Sequence, residues 1–238
     1  MARTLAHLTV AEDYGAVCRA AVDLVLEVVR EKPDSVVCVA TGASPLGLYA
    51  ELAQYRADLA QVRILKLDEW GGLATDDPAT CEVYVQRHIM EPWGVSPDRL
   101  TGFRSDAADP ETECARIRAE VERLGGIDMC ILGMGADGHI GLNYPAATLP
   151  AEAHPTDAST LRHAMLEAAL GVPTHGLTLG MAEVLRARRI VLLVNGAAKA
   201  HAVRRLMRGE ITTEFPASLL WLHDNLHLFA DHTAVPAL

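Results

Sequence analysis

Five short apolar runs punctuate the chain, at residues 36–40, 62–67, 127–132, 190–194 and 226–229. Val, Ile and Leu dominate them and strict polar–apolar alternation is missing, the pattern of parallel strands covered on both faces. Between the runs the apolar positions recur at helical spacing. Over residues 11–30, Val17, Ala21, Leu24, Val25 and Val28 fall on one stripe, and residues 45–56, 81–90 and 111–124 repeat the pattern. A further helix is expected over 197–207, with Gly209 behind it as a stop signal. Strands alternating with helices predict a single doubly wound α/β domain over residues 1–238, a mostly parallel sheet with helices on both faces. Residues 146–176 break the rhythm. Pro150, Pro155 and Pro173 and three histidines (His154, His163, His175) surround a short helical pattern near 161–170. Such an insertion predicts a lid, and a surface excursion packed on the sheet fits the same residues.

Composition narrows the function classes. The 238 residues are 50% hydrophobic and 22% charged, which excludes a disordered chain. Acids outnumber bases by 31 to 21, for a formal charge of −10. That balance disfavours nucleic-acid binding, where phosphate backbones reward clustered Lys and Arg. No apolar run reaches the roughly 18 to 20 residues of a membrane helix, and Glu12-Asp13 follows the N-terminal residues where a signal peptide would carry its apolar core. A cytoplasmic protein with no membrane partner is the expectation. Cys18, Cys38, Cys81, Cys114 and Cys130 are scattered, odd in number and without a CxxC pair, so all five read as reduced and structural.

In an open α/β sheet, ligands sit beyond the carboxyl ends of the strands, and those positions hold the candidate chemistry. After the first run come Thr41, Gly42, Ala43, Ser44 and Pro45. Backbone N–H groups and two hydroxyls at a helix start suit a phosphate; an ordinary start, with Ser44 as N-cap and Pro45 behind it, is the commoner reading of that stretch alone. Asp68 follows the second run, where partial burial would raise a carboxylate toward a useful base, although a loop Asp capping the next turn reads almost as well. Lys199 lies one turn past the fourth run. It could neutralise an anion, and most such lysines are simply solvated.

The densest feature follows the third run: Gly133, Gly135 and Gly138 surround Asp137 and His139. Glycines let the backbone turn sharply near a ligand, and an imidazole beside a carboxylate can move protons near neutrality. The spacing is not the dinucleotide GxGxxG pattern, and no HxH, HxxxH or third ligand suggests a metal. Neither a metal nor a nucleotide cofactor is expected from these residues. An Asp137-capped loop with His139 bonded to backbone is the structural alternative.

Four segments, ATGASPLGLY, LDEWGGL, GMGADGHIGLN and LLVNGAAKAHAV, occur in an order and spacing that resemble the glucosamine-6-phosphate deaminase/6-phosphogluconolactonase superfamily. The resemblance extends from about residue 34 to 231. KLDEW, the Cys81-Glu82-Val83-Tyr84 helix start, Phe103-Arg104-Ser105 and PASLLWLH look closest to the galactosamine-6-phosphate deaminase/isomerase branch. The resemblance implies a modified Rossmann-like α/β fold and an enzyme that works without nucleotide or metal on a sugar-phosphate substrate, most of all galactosamine 6-phosphate, converted to a ketohexose 6-phosphate and ammonia. His139 would assist ring opening, oriented by Asp137, and Asp68 would carry the proton between C2 and C1. Residues 41–44 and Lys199 would hold the phosphate.

One departure stands out. The amino-sugar deaminases usually read GHIxxNEP, and this chain has Tyr144 where that glutamate stands. A phenol with an ordinary pKa of about 10 cannot replace a carboxylate base at neutral pH. Asn143 and Pro145 around it and the DEW segment remain deaminase-like. Two other readings follow: a same-fold isomerase or lactonase on a non-amino sugar phosphate, and a sugar-phosphate sensor that has lost its chemistry. Arg162 and His163 are the candidates for a phosphate-binding residue in the lid. The motifs leave the C4 epimer open and leave room for a homo-oligomer.

Overall fold

The computed structural model describes residues 7–158, 161 and 163–235. All five predicted runs form strands of one sheet: β2 (Val36–Val39), β3 (Arg63–Lys66), β6 (Met129–Gly133), β9 (Ile190–Val194) and β10 (Leu226–Asp231). Two strands join that patterning did not reveal, β1 (His7–Ala11) and β5 (Leu100–Thr101). The order is β1-β10-β9-β6-β2-β3-β5, and every pairing is parallel. Buried on both sides, β2 sends Val36 and Cys38 into one core and Val37 and Val39 into the other. That two-sided burial is why the runs do not alternate in polarity.

Helix Tyr14–Glu31 closes one face with Val17, Cys18, Ala21, Val22, Val25, Leu26 and Val29 buried, and Asp13 caps it by accepting from the Ala16 N–H at 2.8 Å. Helices Pro110–Arg123 and Ala200–Met207 supply Cys114, Ile117, Val203 and Leu206 to the other face. Burial of these stripes stabilises the fold by about 25 cal/mol per Å² of apolar surface. The helix expected over 197–207 begins as a 3-10 turn, Ala197–Lys199. The one starting at Cys81 runs Cys81–Val85, widens to a π-type turn over Gln86–Met90 and ends at Glu91–Trp93.

A second sheet lies where the sequence suggested loops. Here β4 (Asp68–Gly71) pairs antiparallel with β8 (His175–Thr178), which pairs antiparallel with β7 (His154–Thr156). Residues 146–176 thus supply β7 and the first two residues of β8. The helix expected near 161–170 is only a 3-10 stretch, Ala164–Ala168. With Pro173 close behind and a short apolar face, the segment gains its anchorage from packing: Leu161, Met165, Leu166 and Ala169 sit against Trp70, Leu73, Ala79, Cys81 and Leu142. No helix among the described residues is long and apolar enough to cross a membrane.

Candidate active site

The strand order reverses between β2 and β6: from β2 the chain moves outward to β3 on one side, while β6 lies on the other. A cavity of about 440 Å³ opens beyond the carboxyl ends of these strands, lined by Thr41, Gly42, Ala43, Ser44, Asp68, Trp70, His139, His163, Asn195 and Lys199, among others. Seven of the nine catalytic and phosphate-site residues expected from the sequence therefore line one cavity. The other two, Asp137 and Tyr144, touch His139.

The first wall is the turn after β2. Gly42 has φ +96°, open to glycine and costly for other residues. It is also the cap of helix Ala43–Leu52, so Ser44 is the second helical residue and not the N-cap. The first-turn N–H groups of that helix lack intrahelical acceptors and carry the positive end of its dipole. Three phenols outside the expected site hold the turn: Tyr49 donates to the Ala40 carbonyl at 2.8 Å, Tyr84 to Gly42 at 2.7 Å and Tyr14 to Ala43 at 2.8 Å. Tyr84 is the aromatic of the Cys81-Glu82-Val83-Tyr84 helix start, the one sequence signal that could have found this clamp.

Opposite stands the Asp137–His139 pair. Asp137 Oδ1 lies 2.7 Å from His139 Nδ1 and also accepts the His139 N–H at 3.1 Å. A carboxylate can only accept, so Nδ1 carries the hydrogen and Nε2 is left as acceptor. Gly135 is required by this closeness, because a Cβ there would run into the His139 ring and the Asp137 carboxylate. Burial pulls the His139 pKa below its ordinary value, against the opposing pull of Asp137. Asp137 is half exposed; what desolvation it has would raise its carboxyl, but His139 and its hydrogen bonds hold it below the usual carboxylate range. The ring of Tyr144 lies 4.7 Å from that of His139, tilted by 44°. Burial, then Asp68 and Asp137, push the Tyr144 phenol up to about 12.

Asp68 begins β4 and is 7% exposed. Burial pushes its pKa up to about 7, with Glu69 adding to the rise and Cys81 and Lys66 opposing it. Its neighbour Glu69 is fully buried and points the other way, accepting the N–H groups of Trp70, Cys81 and Glu82 and lying 2.7 Å from Lys66 Nζ. Alternation along a strand explains the split: one carboxylate faces the cavity and the next ties β4 to the helix at Cys81.

Lys199 closes the rim. The turn before it is fixed by Asp231, whose carboxylate accepts the Gly196 N–H at 3.0 Å. Burial lowers the Lys199 pKa, offset in part by Asp137. His163, expected as a lid candidate, lines the cavity with its ring 5.7 Å from that of Trp70. Arg162, the other candidate, lies outside the described residues. No cluster of three or more His, Cys, Asp or Glu among the described residues could hold a metal ion.

This chain belongs to the family of glucosamine-6-phosphate isomerases/6-phosphogluconolactonase, which matches residues 11–228. Among curated relatives, it is 43% identical to "Putative deaminase AgaI" of Escherichia coli (strain K12) over 220 residues, covering 90% of this chain and 87% of that one. It is 34% identical to the glucosamine-6-phosphate deaminase of Geobacillus sp. (strain WCH70), covering 94% and 93%. A solved structure of a monomeric glucosamine-6-phosphate deaminase of the NagB superfamily superposes with a TM-score of 0.89 at 32% identity, over 96% of this chain and 98% of that one. The 6-phosphogluconolactonase of Trypanosoma cruzi shares the fold at 15% identity, with a TM-score of 0.80 over 98% and 97% of the two chains.

Proposed function

We propose that this chain is an amino-hexose 6-phosphate isomerase/deaminase, with galactosamine 6-phosphate as the substrate to test first. The observation that carries the reading is a buried carboxylate, Asp68, raised to about 7 and facing the same 440 Å³ cavity as an Asp-oriented imidazole and a glycine-turn helix start. Relatives named as deaminases at 43% and 34% identity support the amino sugar. The galactosamine preference rests on the KLDEW, CEVY, FRS and PASLLWLH segments. We also propose that the chain acts as one α/β domain in the cytoplasm, with residues 146–176 as the cover of the cavity.

The phosphate sits on the N–H groups of residues 42–44 and the Thr41 and Ser44 hydroxyls, with Lys199 balancing its charge. His139 Nε2 takes the proton from the anomeric hydroxyl and passes it to the ring oxygen, so that the bond from C1 to the ring oxygen breaks, the C1 carbonyl forms and the ring opens. Asp68, ionised, then removes the C2 proton; that electron pair forms the C1–C2 double bond while the C1 carbonyl pair moves onto O1, which takes a proton from water, giving an enolamine. Returning the Asp68 proton to C1 while the nitrogen gives one up to solvent yields a ketimine. Water adds to its carbon and ammonia leaves, yielding the ketose 6-phosphate. A base that titrates near 7 matches proton abstraction at neutral pH.

Tyr144 favours a second reading, a non-amino aldose–ketose isomerase using the same base. Ammonia release from galactosamine 6-phosphate and glucosamine 6-phosphate, with Asp68→Asn as control, separates the two. Ammonia and ketose phosphate in equal amounts, lost in the variant, support the deaminase. Absence of ammonia with ketose formed from a non-amino aldose 6-phosphate overturns it.

A further inference from the structure

The Cys81-Glu82-Val83-Tyr84 helix start has Tyr84 on the anion loop, but Cys81 plays no part in the reaction as set out above. Its thiol is buried, 1% exposed, at the first residue of helix Cys81–Val85, behind the cavity wall. Cys81 Sγ lies 3.5 Å from Asp68 Oδ1 and 3.6 Å from Thr41 Oγ1. Among the described residues it is the one group that hydrogen-bonds the Asp68 carboxylate. Glu69 fixes it there by accepting the Cys81 N–H at 2.7 Å. We propose that Cys81 is a positioning residue of the reaction, whose thiol both aims and tunes the Asp68 carboxylate and links it to the Thr41 side of the anion loop. This rests on the function proposed above.

The chemistry favours a donor that stays a donor. Burial, with Glu69 and Asp68 beside it, holds the Cys81 thiol well above its ordinary value, so it keeps its hydrogen through neutral pH. A weak S–H donor stabilises the ionised carboxylate only modestly. A stronger donor would lower Asp68 further and weaken it as a base; an apolar residue would leave it protonated at neutral pH. The thiol carries one hydrogen and has two oxygens in reach. Thr41 can donate to Sγ while Sγ–H donates to Asp68. A phosphate that recruits the Thr41 hydroxyl breaks the first of these bonds and thereby weakens the second. Occupancy of the anion loop would thus be felt at the base.

The other groups bearing on Asp68 are Glu69 and Lys66 beside it, Cys38 and Tyr49 beneath, and Tyr144 across the cavity. Substitution at Cys81 leaves all of them in place. The test is the midpoint of Asp68, read from its ¹³Cγ chemical shift against pH in wild type, Cys81→Ala and Cys81→Ser, each with and without inorganic phosphate. The expected shift in Cys81→Ala is upward by about half to one pH unit, from the loss of one hydrogen bond to the ionised form. Cys81→Ser, with a hydroxyl donor, should bring the midpoint back to or below the wild-type value. Phosphate should move it more in wild type than in Cys81→Ala. The acid limb of kcat/KM should follow the same order, as a loss of packing alone would not make it do. An Asp68 midpoint that is the same in all three proteins overturns the inference. The NMR arm needs no turnover, so a protein inactive on every amino-sugar phosphate that still shows the shifts would refute the proposed function alone.

Discussion

Asp68→Asn is expected to yield a protein without proton-transfer activity that is more stable than the wild type at high pH. The folded Asp68 holds its proton up to about 7, against an ordinary value of 3.8. Between those two values the unfolded chain has released the proton and the folded chain has not, so the folded state binds more protons and rising pH favours unfolding. Above about 7 both states are ionised and the effect levels off. A gap of about three pH units, at about 1.4 kcal/mol each, sets a ceiling of about 4 kcal/mol on what the buried charge costs the wild type. Local hydration and relaxation absorb part of that, leaving about 1–3 kcal/mol. Asparagine keeps the shape and never ionises, so it removes the penalty. Urea unfolding of both proteins from pH 4 to pH 8.5 measures it. The Asn variant's advantage should grow from pH 4 to 7 and then stay flat, and at about 2–4 °C per kcal/mol a melting curve should show the same trend. An advantage independent of pH would refute the claim that Asp68 is buried with a raised pKa, and with it the physical basis for its role as a base.

Asp137→Asn should lower the His139 midpoint further, because burial would then act without the opposing carboxylate; ¹H–¹⁵N NMR of the imidazole reads it, and an unmoved midpoint would exclude the pairing. Lys199→Ala should raise KM for a hexose 6-phosphate by about 10- to 100-fold with kcat less affected, and kinetics with a dephosphorylated analogue should show no such penalty. Tyr144→Glu, which restores the usual deaminase residue beside His139, should raise ammonia release or move its pH optimum. Kinetics unchanged by that substitution would mean the 4.7 Å ring contact has no bearing on the imidazole.

The parts of this molecule written as local patterns were legible. Every one of the five apolar runs is a strand, because burial on both faces leaves a mark in composition that needs no partner to interpret. The cavity residues followed from a rule of topology, since Thr41, Asp68, His139 and Lys199 each come just after a strand. What stayed hidden is made by pairing at long range. The β4 strand is only Asp-Glu-Trp-Gly, and it exists because β8, more than 100 residues later, pairs with it through Asp68↔Thr178 and Trp70↔Gly176. Likewise β1 is exposed along four of its five residues and carries no apolar-run signal. Cys81 read as an inert core thiol because no short-range pattern places it against Asp68. Of the tyrosine clamp on residues 40–43, Tyr49 and Tyr84 fall in segments the sequence singled out, but their joint action stayed hidden because the phenols come from three separate helices.

The charges around the cavity make a demand on any residue proposed to bind the phosphate. Asp68 and Asp137 already place two carboxyl groups near it, and a phosphate dianion brings more negative charge into a partly desolvated space. A dianion alone would raise Asp68 further, protonating the base as the substrate arrives. His139 and His163 cannot offset it at neutral pH, since burial holds both imidazoles below their ordinary values. Lys199 is the one cationic side chain among the described residues that line the cavity. In the proposed reaction its charge would therefore serve two ends, holding the phosphate and offsetting the phosphate's pull on Asp68. Loss of Lys199 should accordingly move the acid limb of kcat upward as well as raising KM, a coupling that a purely anchoring lysine would not produce.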